Sequence, residues 1–331
     1  MWRYAAWLPL VPDEEPVTLG EGATPLLPAP ALAAAVGVRT IWIKEEGLNP
    51  TGSFKARGMS AAVTRARALG VPGVVVPTAG NAGAALAAYA AAAGTNVRVY
   101  APADTPTAIL TTIRTFGAEL ETVEGHIGDA GKAAREFAAQ HHWFDVSTLR
   151  EPYRIEGKKT MGLEIAEQLE WRLPDVIVYP TGGGTGLIGM WKAFQELRAA
   201  RWIADGTELP RMITAQAAGC APIVRAFEEG AACATPWENP QTHASGLRVP
   251  AAIGDRLILR ALRESRGDAA AAEEEDIRSA TEELARTTGI DASPEGGCAW
   301  AVCRALVAAG RIDRDAEIVV FNTGAGASYR S

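Results

Sequence analysis

Lysine is scarce in this chain. Six lysines stand against twenty-six arginines, and one of them, Lys55, lies inside the run Glu46-Gly47-Leu48-Asn49-Pro50-Thr51-Gly52-Ser53-Phe54-Lys55-Ala56-Arg57-Gly58-Met59. A lysine ammonium can release its proton and become a nucleophile, which a guanidinium in practice cannot. The flanking residues place the amine: Asn49-Pro50-Thr51-Gly52 reads as a turn, Ser53 as a helix N-cap, and Lys55 as a first-turn residue. The partial positive charge at a helix start disfavours an ammonium and favours the neutral amine, the form that attacks a carbonyl. A solvated lysine at a helix start is the plain alternative, so the remaining loops decide.

Tyr179-Pro180-Thr181-Gly182-Gly183-Gly184-Thr185-Gly186 joins an apolar strand to a helix. Glycines placed there let backbone N–H groups converge on an anion, and the helix start adds positive potential. A phosphate suits this loop, with Thr181, Gly182, Gly183, Gly184 and Thr185 as its candidate ligands. Gly184-Thr185-Gly186-Leu187-Ile188-Gly189 also matches the dinucleotide pattern Gly-x-Gly-x-x-Gly, which gives an NAD-binding alternative. Against it, the next strand ends in Gln216 and not in an acid able to hold a ribose, and Lys55 is left without a role.

A second strand-to-helix loop, Thr78-Ala79-Gly80-Asn81-Ala82-Gly83, offers N–H groups and a hydroxyl suited to a carboxylate, and Asn81 can hydrogen-bond a phenolic or carbonyl oxygen. The third, Asn322-Thr323-Gly324-Ala325-Gly326, presents the neutral hydroxyl of Thr323. One small molecule uses all of these together. Pyridoxal 5'-phosphate has an aldehyde that needs an amine, a phosphate that needs a glycine-rich helix start, and a ring nitrogen that needs one partner.

The elements that must position these loops follow from the apolar pattern. The reading is a short alanine helix ending near Gly37, strand 40–44, a helix to Leu69, strand 74–76, helix 84–93 and strand 97–100. Helix 107–116, strand 119–123 and helix 130–140 follow, and a second run starts with helix 159–169, strand 175–179, helix 186–199 and strand 212–216. Polar connecting sequence covers much of 217–255, then come helix 273–288 and a last strand at 317–321. Continuous apolar strands between helices imply an α/β fold with mostly parallel sheets covered on both faces, here two doubly wound domains with a ligand cleft beyond the strand ends. The larger domain is expected from residues 1–48 and 152–331, and the smaller, carrying the carboxylate loop, from 49–151.

The 331-residue composition, 48% hydrophobic, is that of a globular protein, and the net charge of -7 argues against nucleic acid or an anionic membrane as the main partner. Neither a signal peptide nor a membrane span is read. Cys220, Cys233, Cys298 and Cys303 lack paired spacing and histidine neighbours, so buried free thiols in a reducing cytoplasm are expected and no metal site. No catalytic role falls to His126, His141, His142 or His243.

The run around Lys55 closely resembles the cofactor-lysine segment of threonine synthases, and Tyr153-Arg154-Ile155-Glu156-Gly157-Lys158-Lys159-Thr160 is similar to that family's Arg-(Leu/Ile)-Glu-Gly-x-Lys-Thr segment. The resemblance runs from about Thr18 onward in matching order. It implies the fold-type II pyridoxal-phosphate enzymes, the tryptophan synthase beta-like group that also holds threonine and serine dehydratases. On matching positions it implies that Lys55 carries the cofactor aldehyde, Asn81 meets the 3-hydroxyl, residues 182–185 hold the phosphate and Thr323 faces the ring nitrogen. A hydroxyl there makes the ring a weaker electron sink than a carboxylate would, favouring elimination and replacement. The expected activity is conversion of O-phosphohomoserine and water to threonine and phosphate by a cytoplasmic homodimer acting on a small amino-acid substrate.

Substrate contacts are expected from Thr78, Ala79, Gly80 and Ala82 to its carboxylate and from Arg154 and Lys158 to a phosphorylated side chain, with Glu295 as a further cleft residue. Three departures bear on the substrate. Ala56 replaces the usual aspartate, Ala82 the usual threonine, and Gly324-Ala325-Gly326-Ala327-Ser328 the usual Gly-His-Gly-Leu-Lys. The loop Thr181-Gly-Gly-Gly-Thr-Gly resembles that of dehydratases, which keeps a threonine or serine dehydratase or a beta-replacement enzyme as the alternative.

Overall fold

The computed structural model describes residues 1–330. In chain order its elements begin with β1 (Leu26–Pro28), α1 (Pro30–Val36), β2 (Thr40–Glu45), α2 (Lys55–Ala68), β3 (Gly73–Pro77), α3 (Asn81–Ala93) and β4 (Asn96–Pro102). They continue with α4 (Thr107–Thr115), β5 (Glu119–Val123), α5 (Ile127–His141), β6 (Phe144–Asp145), α6 (Tyr153–Gln168), β7 (Val176–Pro180) and α7 (Thr185–Ala199). The rest are β8 (Arg211–Ala217), α8 (Pro222–Glu228), α9 (Asp255–Glu264), β9 (Asp268–Ala272), α10 (Glu274–Thr288), α11 (Pro294–Ala308) and β10 (Glu317–Asn322). The fold is α/β with mostly parallel sheets, as the strand and helix alternation requires.

The chain divides into two compact units, Met1–Ala23 with Asn49–Thr160, and Thr24–Leu48 with Met161–Arg330. Residues 1–23 and 152–160, expected in the larger domain, therefore go with the unit that holds Lys55. Hydrogen bonds show why the N-terminal segment sits there: Val17 N–H donates to Thr64 Oγ1 at 2.9 Å and Ser60 Oγ donates to Val17 O at 2.7 Å.

In the Lys55 unit the sheet runs β5-β4-β3-β6, all parallel. Its strand β3 is apolar on both faces, with Val74 and Val76 in the core that α2 and α3 share and Val75 packed with Ala130, Ala134 and Ala138 of α5. Alanine gives α3 high helix propensity and a thin side chain, and Ala84, Ala85, Ala87 and Ala90 are buried in that core.

In the other unit the order is β1-β2-β10-β7-β8-β9, parallel except for the antiparallel edge strand β1. Trp300 of α11 lies fully buried in its core. Lys44 of β2 is buried too: its Nζ meets Glu164 Oε2 at 3.0 Å, Gln168 Oε1 at 2.9 Å and the Thr24 carbonyl at 2.8 Å. The stretch read as polar connection contains α8. Cys220, Cys298 and Cys303 are buried free thiols, whereas Cys233 is exposed, contrary to expectation. No helix among the described residues is long and apolar enough to cross a membrane, and none of their acidic, histidine and cysteine side chains form a metal-binding group.

Candidate active site

The chain enters α2 through a strained turn: Thr51 has φ +64°, a left-handed conformation that a β-branched residue rarely takes. Ser53 is not the N-cap the sequence suggested. It is extended (φ -164°, ψ 162°), Phe54 caps the helix, and Lys55 is its first residue. The hydroxyls of Thr51 and Ser53 are buried with no hydrogen-bond partner, an uncommon condition that a bound polar group would relieve. The Lys55 Nζ lies 3.8 Å from the centroid of the Phe54 ring.

Helix α6 begins at Tyr153, well before the expected residue 159, so Arg154 and Lys158 stand one turn apart on one helix face. Two glycines let α6 press on α2. A Cβ on Gly157 would lie 2.2 Å from the Arg57 carbonyl oxygen, and one on Gly58 would lie 3.0 Å from Lys158 Cε. This contact puts the Lys158 Nζ 5.3 Å from the same Phe54 centroid, so the two lysine nitrogens are no farther apart than about 9 Å. Arg154 and Lys158 are both buried. Arg154 Nη1 donates to the Val146 carbonyl at 2.7 Å, while its Nε has no partner. Burial pulls the Arg154 pKa down; burial, then the charges of Arg154 and Lys55, hold the Lys158 amine well below the usual lysine range. Glu151 opposes them, its own pKa raised by burial.

The loop after β3 is shaped from within. Thr78 Oγ1 donates to Gly80 O at 2.7 Å and accepts from the N–H groups of Gly80 and Gly83, each at 3.1 Å. Its hydroxyl thus sets the turn that leads into α3, which starts at Asn81. A side chain at Gly80 would meet no atom within 4 Å, so the loop borders open space at that residue, while Ala79 is half-buried and Ala82 packs on the core.

In the second unit the glycine loop after β7 packs too closely on its neighbours to carry side chains. Gly184 has φ +72° and a Cβ there would lie 2.2 Å from Ile258 Cδ1, while one on Gly182 would lie 2.3 Å from the Gly246 carbonyl oxygen. Thr181 is buried, bonded to the Tyr179 carbonyl (3.0 Å) and in contact with the Thr214 hydroxyl (3.2 Å). Gly183 is the half-buried point of the loop, and Thr185 opens α7. Gln216, where a dinucleotide site would need an acid, donates to the Thr181 carbonyl at 3.0 Å and accepts from the Ile223 and Val224 N–H groups, capping α8. That use speaks against the NAD-binding alternative.

Thr323 follows β10 directly and is 6% exposed. The tail where the imidazole and ammonium are missing is locked on Asp291, which accepts from the Ala327 N–H and pairs with Arg330 through two bonds of 2.7 Å. Glu295 stands in the first turn of α11, buried; one oxygen accepts from the Gly246 N–H at 2.7 Å and the other has no partner. Glu295 therefore holds the segment whose carbonyl abuts Gly182. Sequence reasoning missed Gly246 and Ser293, the α11 N-cap, and it missed Glu45, whose only signal was a second acid beside the motif.

The donor sets fit pyridoxal phosphate part by part: in one unit an amine at a helix start beside unsatisfied hydroxyls, in the other a glycine cradle at a helix start and a neutral hydroxyl at a strand end. Comparisons with known proteins agree. Residues 17–324 match the family model described as pyridoxal-phosphate dependent enzyme. The threonine synthase of Methanosarcina acetivorans is 39% identical over 325 residues, covering 98% of this chain and 79% of that protein. That of Methanocaldococcus jannaschii is 37% identical over 98% of this chain and 80% of its own length. The structure of maize serine racemase superposes with a TM-score of 0.79 at 20% identity, covering 92% of this chain and 88% of that one.

Proposed function

Because this chain belongs to the pyridoxal-phosphate dependent enzyme family, we propose that it is a threonine synthase-like lyase that converts O-phospho-L-homoserine and water to L-threonine and phosphate. Identity of 39% and 37% to threonine synthases over 98% of the chain carries this reading. The buried basic side chains Arg154 and Lys158 beside the Lys55 helix are the feature of the site that supports it.

In this reading Lys55 bonds the cofactor aldehyde, Asn81 meets its 3-hydroxyl, residues 181–185 receive its phosphate and Thr323 faces its ring nitrogen. Bound pyridoxal phosphate supplies an electron sink for the bonds at the substrate α-carbon. The Lys55 amine would then serve as the base that moves the proton from the substrate α-carbon and returns protons along the side chain. Residues 78–82 hold the substrate carboxylate, and the unpartnered oxygen of Glu295 is offered to the substrate. Arg154 and Lys158 receive the phosphorylated side chain. Burial and then the charges of Arg154 and Lys55 lower the Lys158 pKa, so a bound phosphate beside them would favour its ammonium form. The same reading makes the protein a cytoplasmic homodimer, which size-exclusion chromatography with light scattering tests.

Purified enzyme loaded with the cofactor is expected to release phosphate from O-phosphohomoserine; substrate left untouched while threonine or serine yields a 2-oxo acid would replace this reading with the dehydratase one. The dehydratase-like glycine loop and the absence of a hydroxyl at Ala82 favour that second reading. Loss of a hydrogen bond to a charged group costs about 1.5–3 kcal/mol, so Lys158→Gln is expected to lower kcat/KM for the phosphorylated substrate about 10- to 100-fold, mainly through KM. Equal losses on phosphorylated and unphosphorylated amino acids would remove Lys158 from the phosphate site.

A further inference from the structure

Strand β2 ends on two adjacent buried carboxyls, Glu45 and Glu46. Glu46 accepts from the Thr24 hydroxyl at 2.6 Å. Glu45 sits opposite Asn322 in the parallel register of β2 and β10. The Asn322 amide nitrogen lies within hydrogen-bond distance of both its carboxyl oxygens, at 2.9 and 2.8 Å, and the Gly47 N–H adds a bond at 2.7 Å. The other end of the same amide is also occupied, since Asn322 Oδ1 accepts from Ser293 N at 3.1 Å and Ser293 Oγ at 3.3 Å. Ser293 Oγ in turn accepts from Gly296 N at 3.3 Å as the N-cap of α11, and Ser293 N–H also reaches the Gly324 carbonyl at 3.2 Å.

Three segments thus converge on one side-chain amide that one carboxyl holds: the end of β2, the strand that delivers Thr323, and the helix whose first turn holds Glu295. The packing leaves no slack. A Cβ on Gly47 would lie 2.5 Å from Glu45 Oε1 and 3.0 Å from Ala325 N, and one on Gly296 would lie 2.4 Å from Asn322 Oδ1.

We propose that Glu45 is a positioning residue for Thr323: through Asn322 its carboxyl fixes the loop that offers the Thr323 hydroxyl to the ring nitrogen, and exchange of a single proton at Glu45 tightens or loosens that hold. The inference rests on the reading of Thr323 given above. With both oxygens ionised, Asn322 is pinned by two bonds. A proton on Oε2 turns that oxygen into a donor facing an N–H, and one of the two bonds is lost.

Among the described residues the charges facing Glu45 are Glu46 beside it and Asp291 in the loop before α11, the latter paired with Arg330. Lys44 alternates to the other face of the strand and is engaged by Glu164. Burial and the two acids push the Glu45 pKa up to about 7, against the pull of its bonds from Asn322 and Gly47. The exchange therefore falls near neutrality. A pKa raised on folding means that the folded protein keeps a proton the unfolded chain has released. The stability this contributes is complete below the ordinary value of 4.5 and is lost as pH rises through about 7.

The decisive variant is Glu45→Gln, which keeps the shape and removes the proton. Thermal unfolding of the cofactor-free protein is measured from pH 5 to 9, and the visible absorbance of the loaded protein over the same range. Relative to E45Q, the wild type is expected to lose Tm as pH rises to about 7, with a matching absorbance transition that E45Q abolishes or moves by at least about one pH unit. Carbon-detected NMR of glutamate-labelled wild type adds a direct reading: one carboxyl is expected to titrate between about pH 6 and 8. Superimposable profiles for the two proteins, or no such carboxyl, would overturn the proposal. Neither cofactor-free measurement involves Thr323 or any substrate. Failure there strikes Glu45 alone, whereas an unchanged cofactor spectrum in Thr323→Val strikes the reading of Thr323.

Discussion

Lys55→Ala is expected to reduce phosphate release from O-phosphohomoserine by about 1,000-fold or more, because in the proposed function one side chain serves both as covalent anchor and as proton carrier, and general acid–base work alone is worth about 100- to 10,000-fold. Borohydride treatment of the loaded wild type is expected to fix the cofactor to the peptide containing residue 55 and to leave K55A unlabelled. The protein should stay folded by circular dichroism, since Lys55 is a helix-start residue whose loss removes little packing. A label on the peptide containing Lys158, the other amine beside the Phe54 ring, or retained turnover in K55A, would reassign the anchoring amine. The result separates chemistry from folding, which a stability change alone could not do.

The second large effect is structural. Lys44 and Glu164 are both fully buried and meet at 3.0 Å. Lys44→Met takes the ammonium away from a fully buried carboxylate and is expected to cost about 3–5 kcal/mol of unfolding free energy. The double variant Lys44→Met with Glu164→Met removes both charges and should recover most of that loss, since a buried pair replaced by apolar side chains is often near neutral. Denaturant titration of the two variants measures the difference. A single substitution costing under about 1 kcal/mol would mean that water or a local rearrangement solvates Glu164, and the pair would then not organise the end of β2.

Local chemistry was readable from the sequence. Lys55 at a helix start and the glycine loop at 181–185 are each written in a few consecutive residues, because turn and helix-start preferences act over that range. The start of α6 was misplaced because Gly157 reads as a helix breaker, whereas its missing side chain is what lets α6 lie on the Arg57 backbone. Ser53 has the right type for a cap, and Phe54 takes the position instead. Thr78 has the right type for a ligand, yet its hydroxyl closes its own loop. Least legible was Glu45, whose role depends on its register with Asn322, 277 residues away. No short-range pattern encodes that pairing.

The position of β10 has a consequence for how the protein is made. Of the strands in its sheet it comes latest in the sequence, yet it lies between β2 and β7. The four-stranded sheet, whose strands fall within residues 73–145, can close early on the ribosome, while the facing edges of β2 and β7 wait unpaired until residues 317–322 emerge. Such edges invite pairing with other chains, so nascent copies depend on rapid completion or on chaperone cover. The strand that fills the gap is the one that Thr323 follows, so that loop takes its place only when the sheet is complete.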